Sequence, residues 1–168
     1  KNTSDCRLLQ NDLDSLYSWS VEWDLSFNIQ KCQTMSISRR KQCVNFDYSL
    51  NNSHLERTDS FRDLGVDISV DFIWNSQINR ITAKCNRKLG MIKRTIGYDA
   101  PSRVSKSLYT ALIRSDLEYC SSIWSGTSKR NIKLVEGVQR RATKFILHRP
   151  QDDYKTRFRT AFNFTTLF

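Results

Sequence analysis

Ile78, Ile81, Cys85, Leu89, Ile92 and Ile96 step through the middle of this chain by three and four residues. Only an α-helix turns that period into one continuous apolar face. Arg80, Lys84, Arg87, Lys88 and Arg94 occupy the remaining sides, so the spacing predicts an amphipathic basic helix that begins after Trp74. Gly97 is its expected stop. Pro101 is suited to the first turn of a second helix, with Val104, Leu108, Ala111 and Leu112 expected to face inward. A third helix, from about Asn131 to Leu147, is expected to bury Ile132, Val135, Val138, Ala142 and Phe145. Lys133, Arg140, Arg141 and Lys144 then face outward. Three such stripes bury one another, which predicts a basic three-helix bundle over residues 74–150.

The first 73 residues read differently. Leu8, Leu9, Leu13, Leu16, Tyr17 and Trp19 keep near-helical spacing over residues 5–22, with Ser4 or Asp5 as the expected cap. A turn is expected at Trp23-Asp24-Leu25-Ser26. From Cys32 to Ser38, and again at Val44, Phe46 and Tyr48, apolar and polar residues alternate, the period of a strand. Asn51-Asn52-Ser53 predicts a turn into a return strand. Phe61 to Ile68 reads as a last strand with Gly65 inside it, marking a bulge or a close backbone approach. The fold class is therefore α+β: an N-terminal helix and a small antiparallel sheet over 1–73, then the helical bundle. An aromatic tail, 151–168, carries Phe158, Phe162, Phe164 and Phe168; it either packs down or begins something further.

Charge divides along the same line. Residues 80–149 hold 16 Lys+Arg against 4 Asp+Glu, whereas residues 1–79 hold 8 against 11. A solvated surface mixes both signs, so a one-sided excess across three successive helices points to a polyanion, foremost nucleic acid. With 39% hydrophobic residues the chain is not a disordered one. No run approaches the ~18 apolar residues a membrane helix needs. Cys6, Cys32, Cys43, Cys85 and Cys120 are odd in number and never spaced C-x-x-C. They read as reduced thiols in a cytoplasmic or nuclear setting, with no disulfide-linked partner and no zinc site. The first methionine is Met35, so the chain is expected to be processed, cut, or copied from inside a longer frame.

An active site is harder to find. Asp59, Asp63, Asp67 and Asp71 recur every four residues, but the alternation around Leu64 and Val66 makes that stretch a strand. A strand does not gather four such carboxylates into a metal site. His54 and His148 stand apart from any nucleophile motif, and there is no Gly-rich phosphate loop. No metal ligand set is expected in this chain.

Four segments together nevertheless resemble one family. Leu9-Gln10-Asn11-Asp12-Leu13-Asp14-Ser15-Leu16, Trp19 and Leu25-Ser26-Phe27-Asn28-Ile29-Gln30-Lys31-Cys32 are similar to the segment that follows the catalytic center of reverse transcriptases from non-LTR (LINE-type) retrotransposons, where an N-x-x-K-C/T step forms motif D. Phe61-Arg62-Asp63-Leu64-Gly65-Val66-Asp67-Ile68 resembles the Y-L-G-V strand, motif E or primer grip. Asp116-Leu117-Glu118-Tyr119-Cys120-Ser121-Ser122-Ile123-Trp124 and Val138-Gln139-Arg140-Arg141-Ala142 resemble two signatures downstream of the palm. The resemblance spans residues 5–150.

The resemblance implies roles. Lys31 becomes the motif D lysine, proposed in the family to protonate the leaving pyrophosphate, a role open to a positioned lysine. Leu64, Gly65 and Val66 become the primer grip, and the basic helices the thumb and connection, holding an RNA template and RNA–DNA hybrid by shape and backbone charge. Alternatively, Lys31 is a surface lysine and Gly65 an ordinary strand glycine. The family's Y/F-x-D-D aspartates, which hold Mg²⁺ in the parent polymerase, are expected just before Lys1. The chain alone is thus expected to be inactive, with the remainder of the polymerase as its partner. Two rivals stand beside this: a stand-alone nucleic-acid-binding helical module, and a remnant without function.

Overall fold

The computed structural model describes residues 2–37, 44–147 and 153–162. It forms two units, 1–72 and 73–168. In the first, α1 (Thr3–Glu22) starts from a reciprocal cap. The Asn2 side chain accepts from the Asp5 N–H at 2.8 Å, and the Asp5 carboxylate accepts from the Asn2 N–H at 3.0 Å. Asn2, rather than Ser4 or Asp5, is thus the N-cap, and Asp5 is its partner three residues on. The helix ends at Trp23, and Asp24 turns the chain with φ 53°.

The strands are short and form three separate pairs. β1 (Gln33–Thr34) runs parallel to β4 (Glu56–Arg57). β2 (Ser49–Leu50) and β3 (Ser53–His54) form an antiparallel hairpin across Asn51-Asn52. Both turn residues have positive φ, 51° and 56°, a conformation asparagine accepts more readily than most residues. The strand expected from Cys32 to Ser38 is therefore confined to Gln33 and Thr34, with Ser38 outside the described residues. Val44, Phe46 and Tyr48 pair with no strand; Phe46 and Tyr48 pack ring to ring, 5.0 Å between centroids.

The stretch expected as one strand is a hairpin. β5 (Ser60–Asp63) and β6 (Val66–Ser69) pair antiparallel, with Asp63 opposite Val66 and Arg62 opposite Asp67. Leu64 and Gly65 are the two-residue turn, at φ 45° and 81°. Gly65 sits in its strand-like sequence because the turn needs a positive φ there, not because the strand bulges.

In the second unit, α2 (Asn75–Ile96) buries Ile78, Ile81, Cys85, Leu89 and Ile92 as its spacing predicts. Gly97 ends it with φ 68° and ψ −172°. Then come α3 (Ser102–Tyr109), a π-helical turn (Thr110–Arg114), α4 (Ser115–Glu118), α5 (Ser121–Trp124), α6 (Lys129–Leu147) and α7 (Tyr154–Phe162). The inward face of the middle segment differs from expectation. Ser105, Tyr109, Ile113 and Leu117 are buried, while Val104 and Ala111 face out and Leu108 and Leu112 are half-buried. A strict four-residue spacing drifts around an ideal helix. The wide i→i+5 turn at Thr110–Arg114 absorbs that drift and keeps the four residues on one line.

Asn131 bonds Asn75, Arg141 bonds Asn86, and Lys93 lies over Phe145. These contacts advance together along both helices, so α2 and α6 run parallel. Between them the core closes on Ile113, Trp124, Val135, Val138 and Ala142, all with no exposed surface. Trp124 satisfies its ring N–H on the Tyr119 carbonyl at 3.0 Å.

Candidate nucleic-acid interface

On α2, Arg80, Arg87 and Arg94 recur every seven residues, nearly two full turns, so they line one ridge. Arg87 and Arg94 are exposed and Arg80 is half-buried. Arg80 donates to Gln77 at 2.5 Å. On α6, Arg130, Lys133, Arg141 and Lys144 are exposed and follow three-and-four spacing about Gly137. The two rows join across the seam, where the Arg141 guanidinium donates twice to the Asn86 side chain, at 3.2 and 2.9 Å. Gly90 and Gly137 leave room beside these arginines: a Cβ at either would lie 3.4 Å from Arg94 Nη1 or 3.5 Å from Arg141 Nη1.

The cations nominated from sequence are thus not equivalent. Lys84 and Lys88, on the flank of the arginine ridge, both pair with Asp116, at 3.1 and 2.7 Å. Lys88 also donates to the Leu112 carbonyl in the π-helical turn at 3.0 Å. Arg140 pairs with Glu136 at 3.2 Å along its own helix. Arg87, Arg94, Lys133 and Lys144 have no acidic partner among the described residues. Arg130 belongs with them and was not singled out by sequence, although its position three residues before Lys133 gives it away.

In the first unit the nominated residues lie on separate elements. Leu64 stands at the hairpin tip, 82% exposed, whereas Val66 is 3% exposed and opens the return strand. Arg62 Nε closes the hairpin on Asp67 at 2.6 Å. Lys31 is exposed and ends a 3₁₀ turn, Ile29–Lys31, whose N–H bonds the Asn28 carbonyl at 2.9 Å; the strand begins two residues later. Asp59, Asp63 and Asp71 are exposed, and Asp67 is half-buried on Arg62. No group of three His, Cys, Asp or Glu side chains able to hold a metal ion occurs among the described residues.

Cys6, Cys32, Cys85 and Cys120 are free thiols, and Cys43 lies outside the described residues. Among the described residues no helix is long and apolar enough to cross a membrane. Compared with known proteins, the chain matches no family model, no curated protein and no solved structure.

Proposed function

We propose that this chain is a palm-and-thumb portion of an RNA-directed DNA polymerase of the non-LTR retrotransposon type, contributing template–primer binding rather than the chemical step. The observation that carries the binding half is the pair of basic rows on α2 and α6, in which Arg87, Arg94, Lys133 and Lys144 have no acidic partner among the described residues. Such side chains neutralise phosphates without reading sequence. The polymerase half rests on the four ordered segments of resemblance between Leu9 and Ala142.

A further feature favours a piece of a larger palm over a stand-alone module. Leu8, Leu9, Leu16 and Trp19 of α1, with Trp23 at its end, are 44–64% exposed. That much adjacent apolar surface on one helix is an interface feature. In this reading the remainder of the polymerase covers it, the exposed leucine of the Leu64-Gly65 turn faces the primer, and Lys31 lies toward the leaving pyrophosphate. Mg²⁺ and the aspartates that hold it belong to that remainder.

Two measurements test the proposal. The whole chain, titrated into a labelled RNA–DNA hybrid at 50 to 200 mM salt, is expected to bind with an affinity that falls steeply with salt. No binding, or binding insensitive to salt, overturns it. Reading the frame upstream of Lys1 separates the polymerase from the module: an open frame with an F/Y-x-D-D box supports the first, and a start codon or frame break the second.

A further inference from the structure

The arginine ridge of α2 ends at an aromatic side chain. Gly97, in a backbone conformation that residues with a Cβ rarely adopt, swings the chain out of the helix. The next residue, Tyr98, is left 60% exposed. Its ring is not loose. It meets the buried ring of Phe145 in a T-shaped contact, 5.3 Å between centroids at 78°. Lys93 Nζ lies 5.7 Å from the center of the same Phe145 ring. Arg94 is exposed one turn earlier on α2, and Lys144 is exposed beside Phe145 on α6. Asp99 is the one carboxylate in the chain between Asp71 and Asp116.

A held aromatic ring with an open side, set among cations, is the arrangement that binds an unpaired nucleobase. The ring offers a π-face to any base, and the flanking charges hold the phosphates on either side of it. Tyr109 in the same unit is by contrast 2% exposed. We infer that Tyr98 stacks on an unpaired base where a single strand leaves the duplex bound along Arg80, Arg87 and Arg94. The site therefore distinguishes a duplex with a single-stranded overhang from a blunt one. This rests on the nucleic-acid reading above and adds a ligand feature that the ridge alone does not have.

The test uses the whole chain, a blunt RNA–DNA hybrid, and the same hybrid with a three-nucleotide overhang, each followed by fluorescence anisotropy. The wild type is expected to bind the overhang ligand more tightly. Tyr98→Ala removes that preference, weakening the overhang complex by about five- to 150-fold, the range of one base stack, and leaves the blunt complex unchanged. Tyr98→Phe keeps the preference. Equal losses on both ligands, or no loss on the overhang ligand, overturn the inference. A 5-iodouridine overhang photocrosslinked to the wild-type chain gives a reading independent of variant folding. A crosslink at Tyr98 supports the stack, and crosslinks confined to other residues overturn it. Should the wild type bind neither ligand, the nucleic-acid reading itself fails, and this inference with it.

Discussion

Lys88 of α2 and Asp116 of α4 form an ion pair with Nζ and Oδ2 2.7 Å apart, and Lys84 binds the other carboxylate oxygen at 3.1 Å. Burial pushes the Asp116 carboxyl up, but the hydrogen bonds and charges of Lys88 and Lys84 outweigh it and hold the group below its ordinary value. A depressed carboxyl stabilises the fold fully above about pH 4, where the unfolded group is ionised. That contribution is lost as pH falls through the lower folded value. Asp116→Asn is expected to cost about 1–2 kcal/mol at pH 7, moderated by the exposure of Lys84. It should also flatten the acid limb of thermal unfolding below about pH 4. Melting curves from pH 3 to 7 check both.

The same pair separates two kinds of cation. Arg87→Glu with Arg94→Glu is expected to weaken hybrid binding at least tenfold at low salt, to lessen its salt dependence, and to leave the melting temperature nearly unchanged. Lys88→Ala is expected to do the reverse, lowering stability with little direct effect on binding. Anisotropy and melting on the same preparations decide it. A stability loss in the arginine variant would place those side chains in the fold instead.

Leu64 occupies a position that suits asparagine. Its φ of 45° in the β5–β6 turn is costly for a branched apolar residue, and its side chain is 82% exposed. Leu64→Asn is expected to stabilise the first unit by about 0.5–1 kcal/mol, whereas Gly65→Ala, at φ 81°, costs about 1–2 kcal/mol. Denaturant titration reads the signs. If Leu64→Asn also weakens primer binding, the strained leucine is there for function.

That hairpin shows where sequence was legible and where it was not. Gly65 was recognisable as special, but Leu64 is a poor turn former, so a two-residue turn looked like the inside of a strand. The α2 stripe was readable because its three-and-four spacing admits only a helix. The inward face of the middle helix is not legible from its spacing, because Ser105, Tyr109, Ile113 and Leu117 are aligned across a π-helical turn that no local signal marks. Charge was legible as a total. Its assignment was not, because Asp116 lies 32 residues beyond Lys84 and nothing local marks them as partners.

Gln10 holds α1 to the first hairpin as a strand neighbour would. Its amide donates to the Ser49 carbonyl at 3.0 Å and accepts from the Ser49 N–H at 3.0 Å. Gln10→Ala is expected to cost about 1–2 kcal/mol, since two partly buried backbone groups lose their partner. Faster hydrogen exchange at the Ser49 amide is the specific readout.

Cys85 reports on the second unit. Burial first, and the nearby Asp116 charge second, push its thiol up to about 12. It is expected to resist alkylation at pH 8 in the folded chain and to react on unfolding, while the half-buried Cys32 and Cys120 react first. The raised value also means that stability falls as pH rises past about 8.5, where the unfolded thiol ionises and the folded one does not. Mass mapping of alkylated peptides across pH checks the order.

The parallel course of α2 and α6 also sets a clock on folding. Asn75 and Asn131, which meet at their shared end, are 56 residues apart in the chain. At roughly 5–20 residues per second during synthesis, the apolar stripe of α2 waits about three to eleven seconds before the helix that covers it begins to appear. A chain stopped short of α6 therefore has α2 made but unshielded, and aggregation rather than partial function is its expected fate.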